Sequence, residues 1–513
     1  MSDLTGFDKC YTSLLVSFQA ESRNSLLYNN SSIEFLLRAG DHYINQTQLE
    51  VSEEELFRQI KGDFFIGPNN SNEMVNIWVN TNEFYIFSAG NFTVENLTFH
   101  GEGIDINETG PGIAYIEDND SGFALFNSEA LIGSSESATI KMTNCNFYGF
   151  KLVYLENVWG RLFFLGNMGN LLISQCLFED LYLPLGAIMA SYGNYYNELA
   201  GVLIGDFLWN SSVFIDNSNF IGINEDLWEN LGFIRISEKN IDNSFLISIK
   251  NSSFQGFFQV QCLFCLENIE EIVIFNSSFE DFNETELFLM TSLTSIEISS
   301  IYINNITTSE INLGDFESII NSITLNEITL NNSGFLNTFS ISNTQNFYLN
   351  NSIILNISLI NTFITSVSTI ISLENCSFKV ISCPNTLFSL ETSAFASISD
   401  SSFTNITEPD SFFTITSYTL FSLSNVLIKA SISYEIFLMT NVLANINTFL
   451  QVISNTFTDF FSQDHSCLNT ELQSSSFVYN LISGRIIALL SINPIYFTTN
   501  NTFIINNNLT SHI

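Results

Sequence analysis

An all-β solenoid, a parallel β-helix of single coils, is the fold class this sequence predicts, and three observations predict it. The phrase Asn251-Ser252-Ser253-Phe254-Gln255-Gly256-Phe257 is written again as Asn276-Ser277-Ser278-Phe279-Glu280-Asp281-Phe282, 25 residues later. A fixed period of about 20 to 50 residues means stacked units, each burying its apolar face against the next. Upstream of the phrase the chain alternates, as in Glu271-Ile272-Val273-Ile274-Phe275, with the period of two that strands require. Segments such as Phe412-Phe413-Thr414-Ile415-Thr416 are aromatic and β-branched, which suits strands. A leucine-rich repeat is the rival, since Ile269, Ile272, Ile274 and Phe279 fit its spacing, but its helical return segments do not suit this composition.

Taken in order, residues 1–30 are expected to form an N-terminal cap. Leu14, Leu15 and Phe18 have the spacing of a short amphipathic helix over 12–20, and a solenoid needs its terminal coil covered. Ile33 to Ile44 reads as a strand, a Gly40-Asp41 turn and a second strand. Ser52-Glu53-Glu54-Glu55 has capping-box spacing and predicts a short helix over 53–60. Residues 31–513 are expected to form about twenty coils, with the repeat legible from Asn96-Leu97-Thr98-Phe99 onward.

The anchors of successive coils read as Phe99, Phe147, Phe178, Phe220, Phe254, Phe279, Ile301, Ile328, Ile353, Phe378, Phe403, Val426, Phe457, Phe477 and Phe503. The gaps of 48 residues before Phe147 and 42 before Phe220 fit either two coils with one degenerate anchor or one coil with an insertion. Three residues before the anchor stands an amide or acid, including Asn144, Asn217, Asn251, Asn276, Asn350, Asn375 and Asp400. Asn and Asp tolerate the left-handed backbone region, so each marks a bend. The next residue is small (Cys145, Cys176, Ser252, Ser277, Cys376, Ser401), which predicts a tight or inward-facing site. Each coil is expected to hold about three short strands, with Phe stacked on Phe and Asn on Asn.

Of 513 residues 46% are apolar and 13% charged, so a large core is available and disorder is excluded. Fourteen Lys and Arg against 53 Asp and Glu give a net charge of −39, which disfavours nucleic acid and anionic lipid as partners. Eight cysteines are too sparse for a disulfide scaffold. Cys262 and Cys265 form a lone C-x-x-C whose members should face opposite sides of a strand, so buried free thiols are expected there instead of a zinc site. No run is long enough for a transmembrane helix. No basic and apolar leader opens the chain.

The phrase N-[SC]-x-F-x-x-[FIL], with the strand turn Glu34 to Ile44 before it, resembles right-handed parallel β-helix proteins of the pectin-lyase-like superfamily. More narrowly it resembles Asn- and Phe-rich surface proteins of microbial eukaryotes, and Asn96-Leu97-Thr98-Phe99-His100-Gly101 is similar to the first coil motif of that group. The resemblance implies right-handed winding and secretion or surface display, so the missing leader makes an N-terminally incomplete chain the expectation. Many N-x-S/T sites are by-products of the bend motif; Asn45, Asn107, Asn119, Asn210 and Asn283 are the better glycosylation candidates.

Enzymes of that superfamily cut uronate polysaccharides with clustered carboxylates and basic residues. None of the phrases W-x-D-H, R-x-P-x-x-R, N-T-D, G-H-G or R-I-K occurs, and His100 reads as a lone surface residue. The expectation is therefore a non-catalytic extracellular scaffold that binds glycans or surface proteins and holds no cofactor or metal. A polysaccharide lyase or hydrolase is the alternative, as is a passive segment of a longer protein. Two departures from the repeat are the candidate binding loops. One gathers Glu102, Asp105, Asp118 and Asp120 in a loop loosely similar to a Ca²⁺ loop. The other gathers Tyr192, Tyr195, Tyr196 and Trp209, residues of the kind that stack on sugars.

Overall fold

A computed structural model of the chain describes longer runs at 33–45, 63–80, 91–101, 139–149, 170–182, 212–224, 245–258, 262–308, 311–391, 395–407 and 420–429, and isolated strands elsewhere. The helices expected at 12–20 and 53–60 lie outside the described residues. Contacts divide the chain into two units, Met1–Val260 and Gln261–Ile513. Within each, most of the described strands pair in parallel with their counterparts one coil on, and the architecture is the right-handed parallel β-helix. Among the described residues no helix is long and apolar enough to cross a membrane.

One coil of the second unit consists of the strands Glu271–Phe275, Ser278–Asn283 and Glu286–Thr291. Its corners are left-handed: Asn276 has φ 48°, Asp281 φ 60° and Ser292 φ 59°. The first corner recurs at Ser300, Glu327, Asn351, Asn375, Asp400 and Asn425, and a second recurs five residues after each from Asn305 to Asn405. Sequence reading found the first series alone, because the second is shared among Gly, Asp, Asn and Val and offers no uniform letter.

The residue after the first corner solves a local problem. A strand that turns sharply orphans backbone groups, and buried orphans cost free energy. Ser252, Ser352 and Ser401 each donate their hydroxyl to the carbonyl two residues earlier, at 2.7 Å. The same oxygens accept from the neighbouring coil, as Ser352 does from the Ile328 amide at 3.1 Å and Ser401 from the Cys376 amide at 3.0 Å. Cys145 and Cys176 make the same bond to Thr143 and Ser174. Burial pushes the Cys145 thiol well up and that of Cys376 to about 11, which disfavours the thiolate at both positions.

Inside the first unit Phe99, Phe147, Phe178, Phe220 and Phe254 form one stack, with centroids 4.8 to 4.9 Å apart and planes within 5°. The strand spacing of about 4.8 Å sets that interval, so the rings sit offset, the arrangement that aromatic quadrupoles favour. Each buried Phe contributes about 1.5–3 kcal/mol. Phe99 pairs directly with Phe147, and Phe178 with Phe220. The 48- and 42-residue gaps are therefore single circuits of the helix and not pairs of coils with one degenerate anchor.

In the second unit the register corrects five anchors, one of them Phe503, whose place opposite Phe477 is taken by Ile504. Phe279 is followed by Ile303, Leu330, Ile354, Phe378, Phe403 and Ile428. Ile301, Ile328 and Val426 instead follow the corners Ser300, Glu327 and Asn425 and are buried there, where other coils have Ser or Cys. Ile353 is 50% exposed, and the bend expected at Asn350 is at Asn351, φ 51°. A β-branched apolar side chain at the corner looks in sequence like the anchor two residues away. Cys262 and Cys265 are also corrected: both are buried and they form a disulfide. Their Cα atoms are only 5.8 Å apart, because the strand Cys262–Glu267 is not straight and buries five successive side chains.

Corner amides stack into ladders. Asn375 donates to Asn351 at 2.8 Å and Asn351 to Asn326 at 2.9 Å; at the second corner Asn356 donates to Asn332 at 3.1 Å. The next rung of that second ladder is Val380, a β-branched residue at φ 58°, a conformation that costs about 1–3 kcal/mol. Val380→Asn is expected to extend the ladder and raise stability by about 1 kcal/mol, read as a higher thermal midpoint. A lower midpoint would show that the valine is not strained.

Candidate functional site

The loop residues singled out from sequence, Glu102, Asp105, Asp118, Asp120, Tyr192, Tyr195, Tyr196 and Trp209, all lie outside the described residues. The bend residues Asn144, Asn217, Asn251, Asn276, Asn375 and Asp400 have φ between 48° and 54° and serve the backbone. Among the described residues no group of three or more His, Cys, Asp or Glu is placed to hold a metal ion.

What the structure does assemble is an outer strip on the first unit. The residue after each inward anchor must point outward, so parallel pairing stacks these residues as surely as it stacks the anchors. Tyr43 pairs with Trp78, Trp78 with His100, His100 with Tyr148 and Tyr148 with Glu179. Ring centroids are 6.3, 4.1 and 5.6 Å apart from Tyr43 to Tyr148, all in stacked orientation. Tyr43 is 50% exposed and the other three rings are half-buried. Trp78 and His100 lie close enough to cover one another's faces.

Two residues earlier on the same strands runs a second outward row, Asp41, Asn76, Thr98 and Asn146. Asn76 Nδ2 donates to Asp41 Oδ1 at 2.9 Å, Trp78 Nε1 donates to the same oxygen at 3.2 Å, and Asn146 Nδ2 donates to Thr98 Oγ1 at 3.4 Å. The Asn76 bond, then the Trp78 bond and the nearby His100, hold the Asp41 carboxyl below its usual range. Burial and the neighbouring Glu179 raise the Tyr148 phenol. One strip thus carries an ionised carboxylate, an imidazole and a phenol that stays protonated. Sequence reading missed it because 35, 22 and 48 residues separate its rings. Reading the position after each anchor down the stack would have exposed it.

A second cluster lies in the other unit. Glu286 is 6% exposed, and Asn312 Nδ2 donates to Asp315 Oδ1 at 2.7 Å. Burial, followed by the Asp315 charge, pushes Glu286 up to about 9, and its Oε1 has no hydrogen-bond partner. It is a buried acid, neutral at pH 7.

No family model and no curated protein matches the chain. Similar solved structures include the periplasmic alginate epimerase AlgG, at 10% identity and TM-score 0.24, covering 96% of this chain and 88% of that one. A PL6 alginate lyase in complex with a trisaccharide aligns at 8% identity and TM-score 0.22, covering 94% and 85%. The A-module of the Azotobacter vinelandii mannuronan C-5 epimerase AlgE4 aligns at 8% and 0.15, covering 97% and 93%. The expectation that the chain is not an enzyme is set aside: the similar structures are of epimerases and a lyase, a likeness that concerns the fold alone. The missing short phrases that prompted it are no guide at such identities.

Glu286 sets a pH dependence whose sign follows from linkage. Its folded pKa of about 9 lies above the 4.5 of an ordinary Glu, so between those values the folded state holds a proton that the unfolded state lacks. Stability from this group is complete below about pH 4.5 and falls as pH rises to about 9. Thermal midpoints of wild type measured from pH 5 to about 9 are expected to decline more steeply than those of Glu286→Gln; parallel curves would refute the buried acid.

Proposed function

We propose that this chain contacts a polysaccharide outside the cell, along the outer strip of its first coils. The observation that carries the reading is the pair of parallel rows: Tyr43, Trp78, His100 and Tyr148 beside Asp41, Asn76, Thr98 and Asn146. Rungs recur about every 4.8 Å, so a polymer lying along the strip meets donors and acceptors at regular intervals. A few fixed polar groups are what orient a ligand in a site. The ring edges contribute the Tyr hydroxyls and the His100 imidazole, while the Trp78 N–H is given to Asp41 and Trp78 supports the neighbouring rings, so recognition is by hydrogen bonding more than by stacking on ring faces.

Titration of the full chain with a panel of oligosaccharides tests this. Tyr43→Ala and Tyr148→Ala are expected to weaken binding about tenfold each, one side chain's hydrogen bonds being worth about 1.4 kcal/mol. Thr404→Ala, on the outer face of the other unit, is the control, and folding of each variant is checked by circular dichroism. Equal affinities for all four proteins would sink the proposal.

A second reading, transformation of the bound chain, is favoured by the rung-to-rung succession of His100, Tyr148 and Glu179. In it the imidazole accepts a proton and the phenol donates one. Tyr148→Phe is then expected to lower kcat by about 10² or more with little change in KM, as loss of a general acid does. Absence of new chain ends or altered sugars in any digest, followed chromatographically, refutes it.

A further inference from the structure

The charge pattern of the strip goes further than the contact itself. Resting on the strip being the polysaccharide contact proposed above, we infer that the polymer it takes is built of uncharged pyranoses and not of uronates. From the strand Gly40–Asn45 to the strand Leu177–Tyr182 the two outward rows contain Asp41 and Glu179 and no Lys or Arg. His100 is the one group in them able to carry a positive charge.

A polyuronate would place a carboxylate on every sugar. Binding one needs a cation at nearly every rung, preferably the planar fork of Arg, which matches a carboxylate with two hydrogen bonds. Here the strip offers a carboxylate at one end, held ionised by Asn76 and Trp78, and another at Glu179. Such like charges would face each other without compensation. The rest of the molecule adds to the repulsion: with 14 basic against 53 acidic residues, its field slows the approach of any polyanion.

An uncharged polymer meets none of these costs, and the groups present suit it. Hydroxyls and acetamides both donate and accept. Asp41, Asn76, Thr98 and Asn146 accept or donate in one row, and the ring edges do so in the other. The alignment of similar folds with alginate epimerases and lyases does not bear on this choice, because the chemistry of a site belongs to its side chains and not to its coils.

Calorimetric titration of the full chain decides the matter with two arms. One uses cellohexaose and N-acetylated chitohexaose, both uncharged; the other uses hexamers of mannuronate and galacturonate. Each is run at about 0.01 M and about 1 M salt, where the screening length falls from about 30 to about 3 Å. At least one uncharged hexamer is expected to bind with less than about twofold dependence on salt, and the uronates at least tenfold more weakly at low salt. The double variant Asp41→Asn, Glu179→Gln is expected to raise uronate affinity about three- to tenfold at low salt. Uronates binding as tightly as the uncharged hexamers, or tighter, overturns the inference while leaving the strip as a polysaccharide contact. No binding in either arm overturns both.

Discussion

Every coil of this protein has to turn sharply and still leave no backbone group unsatisfied, and the rest of the structure depends on how it does so. A left-handed corner reverses the chain in one residue, at a cost that Asn and Asp bear better than most. The small side chain after it returns a hydroxyl or thiol to the orphaned carbonyl, as Ser252 does to Lys250. Its own lone pair then serves the preceding coil, as in the Ser218 amide bonded to Ser252. With the corner fixed, the anchor three residues beyond must point inward and its successor outward. The phenylalanine stack, the amide ladders and the outer strip are all consequences of that one placement.

This accounts for what was legible in the sequence. The corner and the anchor impose chemistry on particular letters, so the fold class and the first bend series could be read directly from N-[SC]-x-F. Where other residues meet the same constraint, legibility failed. Ile301 and Ile328 occupy the corner site by filling it with apolar volume, and so passed for anchors. The second corner accepts Gly222, Asp281, Asn332 and even Val380, and no pattern of letters survives such tolerance. The Cys262–Cys265 pair was misjudged because straight-strand geometry was applied where the chain bends.

The outer strip was illegible for a different reason. Nothing in the folding of a coil constrains the residue after the anchor: it is Tyr148, Glu179, Ile221 and Gln255 in successive coils. A position free of structural duty is where a ligand can impose its own demands, and the first coils alone fill it with an unbroken run of rings. The strip thus differs from the Asn ladders, whose periodicity follows from the bend, and from Glu286, whose burial affects stability without meeting solvent.

The coils of 48 and 42 residues have a consequence for how such a chain changes over generations. Phe99 and Phe147 stack as closely as Phe220 and Phe254 do, although the first pair is separated by far more chain. The interior therefore registers one rung per circuit and is blind to the length of the path taken between rungs. Inherited insertions can accumulate in one circuit without forcing compensating change in its neighbours. Duplication of whole circuits lengthens the stack by a separate route, so the two kinds of growth proceed under independent selection.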